Sequence, residues 1–157
     1  MLLQRPRPTF VAGFLGLANR IRIMASILKD IVINTSAEKV WDVVRDIGAV
    51  HRRFVPGLVT DVRLESDARV VTFANGMVVR ELIVDLNDET RRFAYAAVGG
   101  DFKHHNASMQ VFADGEGRCR LVWITDLLPD EIAQSIRAII DQGAVIMQAT
   151  LEQADPG

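Results

Sequence analysis

Ser26 to Asn34 is rich in isoleucine and valine and reads as a strand. Thr35-Ser36 then introduces Ala37 to Asp46, where Val40, Trp41, Val44 and Ile47 recur at helical spacing. Thr35 with Glu38 forms a capping box, in which hydroxyl and carboxylate each satisfy an orphan backbone donor. Gly48 stops that helix. A second, short helix is expected over Val50 to Phe54, before Pro56-Gly57 breaks the chain.

The following stretch can be put in register by its turns. Asn75-Gly76 is the strongest two-residue hairpin signal, because both positions tolerate positive φ. It predicts Phe73 opposite Val78 and Val71 opposite Arg80. A weaker turn at Asp67-Ala68 predicts Leu64 opposite Val71 and Val62 opposite Phe73. Asn87 to Thr90 closes a third hairpin, with Val84 opposite Phe93, Leu82 opposite Tyr95 and Arg80 opposite Ala97. Asp114 to Arg118 closes the last, with Val111 opposite Leu121 and Met109 opposite Trp123. Cross-strand partners share a face and neighbours along a strand alternate. One face should therefore carry Val62, Leu64, Val71, Phe73, Val78, Arg80, Leu82, Val84, Phe93, Tyr95 and Ala97. The last hairpin adds His105, Ala107, Met109, Val111, Cys119, Leu121, Trp123 and Thr125. The opposite face should carry Val70, Val79, Ile83, Ala94, Ala96 and Val98 with Thr72, Glu81 and Asp85. It is more apolar than a wet surface needs, so a homodimer interface is one reading of it and scattered surface valines the other.

A helix is expected from Pro129-Asp130 to about Gln153. Ile132, Ile136, Ile139, Ile140, Ile146, Met147 and Leu151 form its apolar stripe. At 1.5 Å per residue it is about 36 Å long and can cross the whole sheet. Gly143, near its middle, costs about 1 kcal/mol relative to alanine. Such a glycine either lets backbone approach the sheet or leaves room for something else. A strand, two short helices, six antiparallel strands in a meander and a long closing helix make an α+β helix-grip.

Composition adds limits. A chain of 157 residues with 49% hydrophobic side chains makes one domain with a sizeable core. The single cysteine, Cys119, excludes an internal disulfide and any multi-cysteine metal site. The formal charge is −2, but four arginines (Arg5, Arg7, Arg20 and Arg22) precede Met24 with no acid among them. From Met24 onward, 14 cations face 20 acids, a net of −6. That balance argues against nucleic acid as a partner. Residues 1–23 read as an upstream extension or an early-assigned start, with the domain spanning 24–157. The apolar run Phe10 to Ala18 also resembles a targeting peptide, though its cleavage side is poor, and a structured segment is the third reading. No apolar run approaches the roughly 20 residues that span a bilayer. A cytoplasmic location is expected unless 1–23 is a targeting peptide.

The order of elements resembles the START-like, or SRPBCC, superfamily, and within it the polyketide cyclase/dehydrase and lipid-transport family. The resemblance covers Met24 to about Leu151. It rests on Thr35-Ser-Ala-Glu-Lys-Val-Trp41, Phe54-Val-Pro-Gly57, Val79-Arg-Glu-Leu82 and the run from Gly117 to Thr125. It implies a curved sheet gripping the long helix around a hydrophobic cavity. It also implies a ligand among lipids, sterols, polyketides or hormones, with a minority of members catalytic.

The expected ligand-binding residues are Phe73, Arg80, Leu82, Phe93, Tyr95, His105, Met109, Trp123, Ile136, Ile140, Gly143 and Met147. Arg80 is the most conspicuous, since a guanidinium on an apolar face is rarely buried unpaired. It would anchor a ligand oxygen, or else turn outward at a bulge or pair with an acid such as Glu81 or Asp101. His105 faces inward and His104 outward. The two therefore cannot chelate together, and with His51 in a separate loop no metal site forms. His105 in a pocket could move a proton or simply hydrogen-bond. Tyr95 and Trp123 are amphipathic pocket aromatics, while Trp41 and Cys119 read as core. With no phosphate loop, dinucleotide fingerprint or nucleophile elbow, no cofactor is expected. The first expectation is a carrier of a small hydrophobic molecule. The alternative is a polyketide cyclase or aromatase in which Arg80 polarises a carbonyl and His105 or Tyr95 moves protons.

Overall fold

The computed structural model describes residues 24–153, so the readings made for 1–23 lie outside the described residues. The elements follow the expected order. They are β1 (Ala25–Ile33), α1 (Ala37–Val44), α2 (Val50–Arg53), β2 (Val59–Leu64), β3 (Ala68–Phe73), β4 (Val78–Asn87), β5 (Arg92–Val98), β6 (His104–Ala113) and β7 (Cys119–Leu128). A 3-10 turn (Asp130–Ile132) then leads into α3 (Ala133–Gln153). The seven strands form one antiparallel sheet in the order β1-β7-β6-β5-β4-β3-β2.

Local chemistry sets the first helix. Ser36, not Thr35, is its N-cap. Ser36 is extended and its Oγ accepts the Lys39 N–H at 3.3 Å. Thr35 is buried one residue earlier. Val40, Trp41 and Val44 bury one helical face, and the Trp41 indole donates to Asp88 at 2.9 Å. The C-terminal end of α3 is tied to β1, because Gln148 donates to the Val32 carbonyl and Glu152 accepts from the Asn34 N–H, each at 2.9 Å. Ile140, Met147 and Leu151 then join one core with Ile27, Ile33, Phe93 and Leu121 from the sheet. Among the described residues, no helix is long and apolar enough to cross a membrane.

The β6–β7 register agrees with the turn reading, with Val111 opposite Leu121 and Met109 opposite Trp123. The β3–β4 register does not. Thr72 lies opposite Val78 and Val71 opposite Val79. The cause is the loop, which holds three residues rather than two. Phe73 N–H bonds the Met77 carbonyl, the Asn75 side chain accepts the Met77 N–H, and Gly76 has positive φ (89°). Asparagine keeps negative φ, so the turn is the three-residue type with a left-handed glycine. One extra residue moves a strand to its other face. Val79, Glu81 and Ile83 therefore face the helix, and Val78, Arg80 and Leu82 face away.

Two smaller differences leave the faces intact or restore them. The β2–β3 turn is at Ser66-Asp67, closed by Glu65 N–H to the Ala68 carbonyl, and places Val62 opposite Val71. That shift of two residues preserves which side chains face inward. The β4–β5 loop closes at Asn87 opposite Arg92, which places Leu86 rather than Val84 opposite Phe93, and a bulge at Val84 then brings Ile83 opposite Tyr95 and Glu81 opposite Ala97.

Candidate functional site

The concave face of the sheet and α3 enclose a cavity of about 100 Å³. Most of its wall is apolar. Phe73, Phe93, Met109 and Trp123 line it from the strands, and Ile136, Ile140 and Met147 from α3. Phe54, Val55 and Leu58, in the segment after α2, close one side. Half-exposed Met77, Phe102 and Ile139 mark its surface end. Gly143 sits behind the wall. A Cβ there would meet the Trp123 ring at 3.4 Å and Leu58 at 3.5 Å, so the glycine lets the indole lie against the helix backbone.

Arg80 and Leu82 do not belong to this wall. The three-residue loop turns both outward. Arg80 Nε donates to Glu65 at 2.8 Å and Nη2 to Asp67 at 3.2 Å, beside the β2–β3 turn on the other side of the sheet. The inward position on β4 belongs to Glu81. Its carboxylate receives Nε of Arg69, directly opposite on β3, at 2.7 Å. Both side chains are almost fully buried. Arg69 Nη1 also donates to the Ile47 carbonyl at 3.1 Å, and the guanidinium lies 5.0 Å from the Phe93 ring and 5.5 Å from the Tyr95 ring. The stacking and the ion pair explain how a cation is held inside an apolar wall. Arg69 was legible in principle, because it stands two residues before Val71 on one strand and alternation puts both on one face.

Three further polar groups share the cavity. The Tyr95 hydroxyl accepts the Trp123 indole N–H at 3.1 Å. Burial and the neighbouring Glu81 carboxylate raise the phenol far above its ordinary value, so it stays protonated. His105 Nδ1 accepts the Ala97 N–H at 2.9 Å, and burial with His104 beside it pulls the imidazole down from 6.5 to about 4. Its ring packs on Phe102 and Tyr95, with centroids 5.0 and 5.9 Å away. Thr125, on β7, is buried and also lines the space.

The remaining candidates lie elsewhere. His104 is exposed on the outer face. His51 is half-buried on α2, outside the cavity wall, and its buried Nδ1 has no hydrogen-bond partner among the described residues. Cys119 is fully buried, and burial raises its thiol to about 11, which keeps it protonated and unreactive. Among the described residues, no group of three histidine, cysteine or acidic side chains could hold a metal ion.

This arrangement can bind and orient an apolar molecule. Its ionisable groups already have protein partners. The phenol is held protonated, the imidazole is neutral with Nδ1 already occupied, and the carboxylate is tied to a guanidinium.

A family model described as polyketide cyclase / dehydrase and lipid transport matches residues 24–152. No curated protein sequence matches the chain. Solved structures do. A protein from Bacillus thuringiensis described as uncharacterized has a TM-score of 0.73 at 18% identity, covering 81% of this chain and 98% of its own. A START superfamily protein from Mycobacterium smegmatis scores 0.69 at 13% identity, covering 83% and 99%. Norcoclaurine synthase from Thalictrum flavum, in complex with dopamine and hydroxybenzaldehyde, scores 0.62 at 16% identity, covering 98% and 94%. At these identities the likeness is one of fold.

Proposed function

Because the chain belongs to the polyketide cyclase/dehydrase and lipid-transport family, we propose that it is a binding protein for a small hydrophobic molecule, held between the sheet and α3 and released unchanged. The observation that carries this reading is the cavity wall. It is apolar over most of its area, and the two charged groups in it, Arg69 and Glu81, are bound to each other. A fold supports many activities, so the family alone does not carry the reading and the site must support it.

Native mass spectrometry of the purified protein, followed by solvent extraction, tests it. A bound apolar molecule recovered intact, or uptake of an added one, is the expected result. A protein that carries nothing and takes up no apolar probe would sink the proposal.

An enzymatic reading is favoured by one observation, the buried Glu81 carboxylate beside Tyr95, in a fold shared with norcoclaurine synthase. In that reading Arg80 has no place, since it lies outside the cavity. Conversion of an incubated ligand, abolished by Glu81→Gln, would replace binding with catalysis.

A further inference from the structure

The polar wall carries information about what the cavity accepts. Hydrogen-bond direction can be worked out group by group. Tyr95 Oη already accepts from the Trp123 indole, and it makes no second hydrogen bond among the described residues. Its own proton is therefore free to be donated. His105 Nδ1 already accepts from the Ala97 N–H, so the ring proton sits on Nε2, which also has no acceptor among the described residues. Both side chains line the cavity and their rings are neighbours, 5.9 Å apart. His105 cannot reverse its role without breaking the hydrogen bond it already accepts, and the Tyr95 hydroxyl keeps a proton that needs an acceptor. The Arg69–Glu81 pair beside them is internally compensated, so it leaves no net charge to neutralise an ion.

We infer that the occupant is an uncharged, ring-sized molecule carrying an acceptor oxygen of the ketone or quinone type, held by the Tyr95 hydroxyl and His105 Nε2–H. This deepens the binding reading above and rests on it. An occupant with only donor groups, such as an ammonium, leaves the Tyr95 and His105 protons without an acceptor. One that lacks polar atoms leaves both donors unpaired when water is expelled. A cavity of about 100 Å³ is smaller than the roughly 150 Å³ space that accommodates benzene in an engineered protein core, so it seats no more than one ring, and a substituent on that ring must extend toward the surface end at Met77, Phe102 and Ile139.

Three single-ring probes separate the possibilities by isothermal titration calorimetry on the full chain. Acetophenone carries the acceptor, α-methylstyrene replaces its C=O by C=CH2, and 1-phenylethylamine carries a cation. Acetophenone should bind about 5–10-fold more tightly than α-methylstyrene, with the amine weakest. The infrared carbonyl stretch of bound acetophenone should fall below its value in hexane, a readout that needs no variant. In Tyr95→Phe combined with Trp123→Phe, the ratio of acetophenone to α-methylstyrene affinity should shrink, whatever the larger cavity does to both. Trp123 is included because loss of the hydroxyl frees the indole N–H to donate in its place. Equal binding of acetophenone and α-methylstyrene, with an unshifted carbonyl, overturns the inference and leaves apolar binding standing. Tightest binding by the amine overturns it as well. Failure of all three probes to bind overturns the binding reading itself.

Discussion

Removing one member of the Arg69–Glu81 pair should damage the protein far more than removing both. Arg69→Met takes away the Nε–Glu81 bond of 2.7 Å, the Nη1 bond to the Ile47 carbonyl and the stacking on Phe93 and Tyr95. It leaves a carboxylate in a wall where the acid side chain is about 10% exposed. Two unit charges about 4 Å apart interact by about 4 kcal/mol at an effective dielectric of 20. Breaking buried pairs costs about 3–5 kcal/mol, because the orphan charge remains. Against a total stability of about 5–15 kcal/mol, that is a large share. At roughly 3–5 °C per kcal/mol for a domain of this size, the melting midpoint should fall by about 10–20 °C.

The double variant Arg69→Met with Glu81→Leu removes both charges and fills similar volume. It should recover most of the loss, giving a coupling of several kcal/mol in a double-mutant cycle measured by urea unfolding. Single variants that each cost less than about 1 kcal/mol, with additive effects, would refute the reasoning. They would mean that water reaches the pair and screens it as on a surface.

Three further outcomes follow from the geometry. Arg80→Ala should lower stability by no more than about 1 kcal/mol in urea titration and leave apolar ligand affinity unchanged, since the Arg80 side chain is 40% exposed and its partners Glu65 and Asp67 lie on the outer face; a loss of ligand binding would return it to the cavity. Gly143→Ala should raise stability by about 0.5–1 kcal/mol, because the added methyl meets Trp123 at an ordinary 3.4 Å and helix propensity improves; a lowered melting point would show that the indole cannot yield. The folded protein holds His105 neutral down to about 4 against 6.5 when unfolded, so the unfolded chain binds more protons between those values. The His105 contribution, about 2 kcal/mol after allowing for its partial exposure, is present above pH 6.5 and lost as pH falls toward 4. His105→Gln should flatten stability over that window, and an unaltered pH profile in urea titrations would contradict it.

Most of the fold was legible because its signals are local and redundant. The helical spacing of Val40, Trp41 and Val44 places α1 even though its cap is Ser36 and not Thr35, and a loop read over Asp114 to Arg118 leads to the observed Met109 opposite Trp123. Strand β4 was illegible for a definite reason. Its two faces, Val78-Arg80-Leu82 and Val79-Glu81-Ile83, have the same makeup of two aliphatic residues and one charge. A one-residue slip is normally betrayed by polar residues turning inward. Here either choice buries one ion, and the hydrophobic pattern cannot decide between them. The decision falls to the Ala74-Asn75-Gly76 loop, where Asn75 with negative φ and Gly76 with positive φ are as compatible with three residues as with two.

That choice of loop reaches the site through one chain of causes. With a two-residue turn, Arg80 would join Arg69 on the inner wall, and two buried cations without a protein partner would call for an anionic ligand. With three residues, Glu81 takes that position opposite Arg69, and the two charges cancel inside the protein. The selective groups that remain are neutral, Tyr95 and His105, and both are held by strands β5 and β6 rather than by mobile loops. The ligand oxygen that Arg80 was expected to anchor is left, on the inference above, to Tyr95 and His105. Asn75 touches no part of the cavity, yet the register its loop imposes on β4 decides whether the cavity wall carries a net charge.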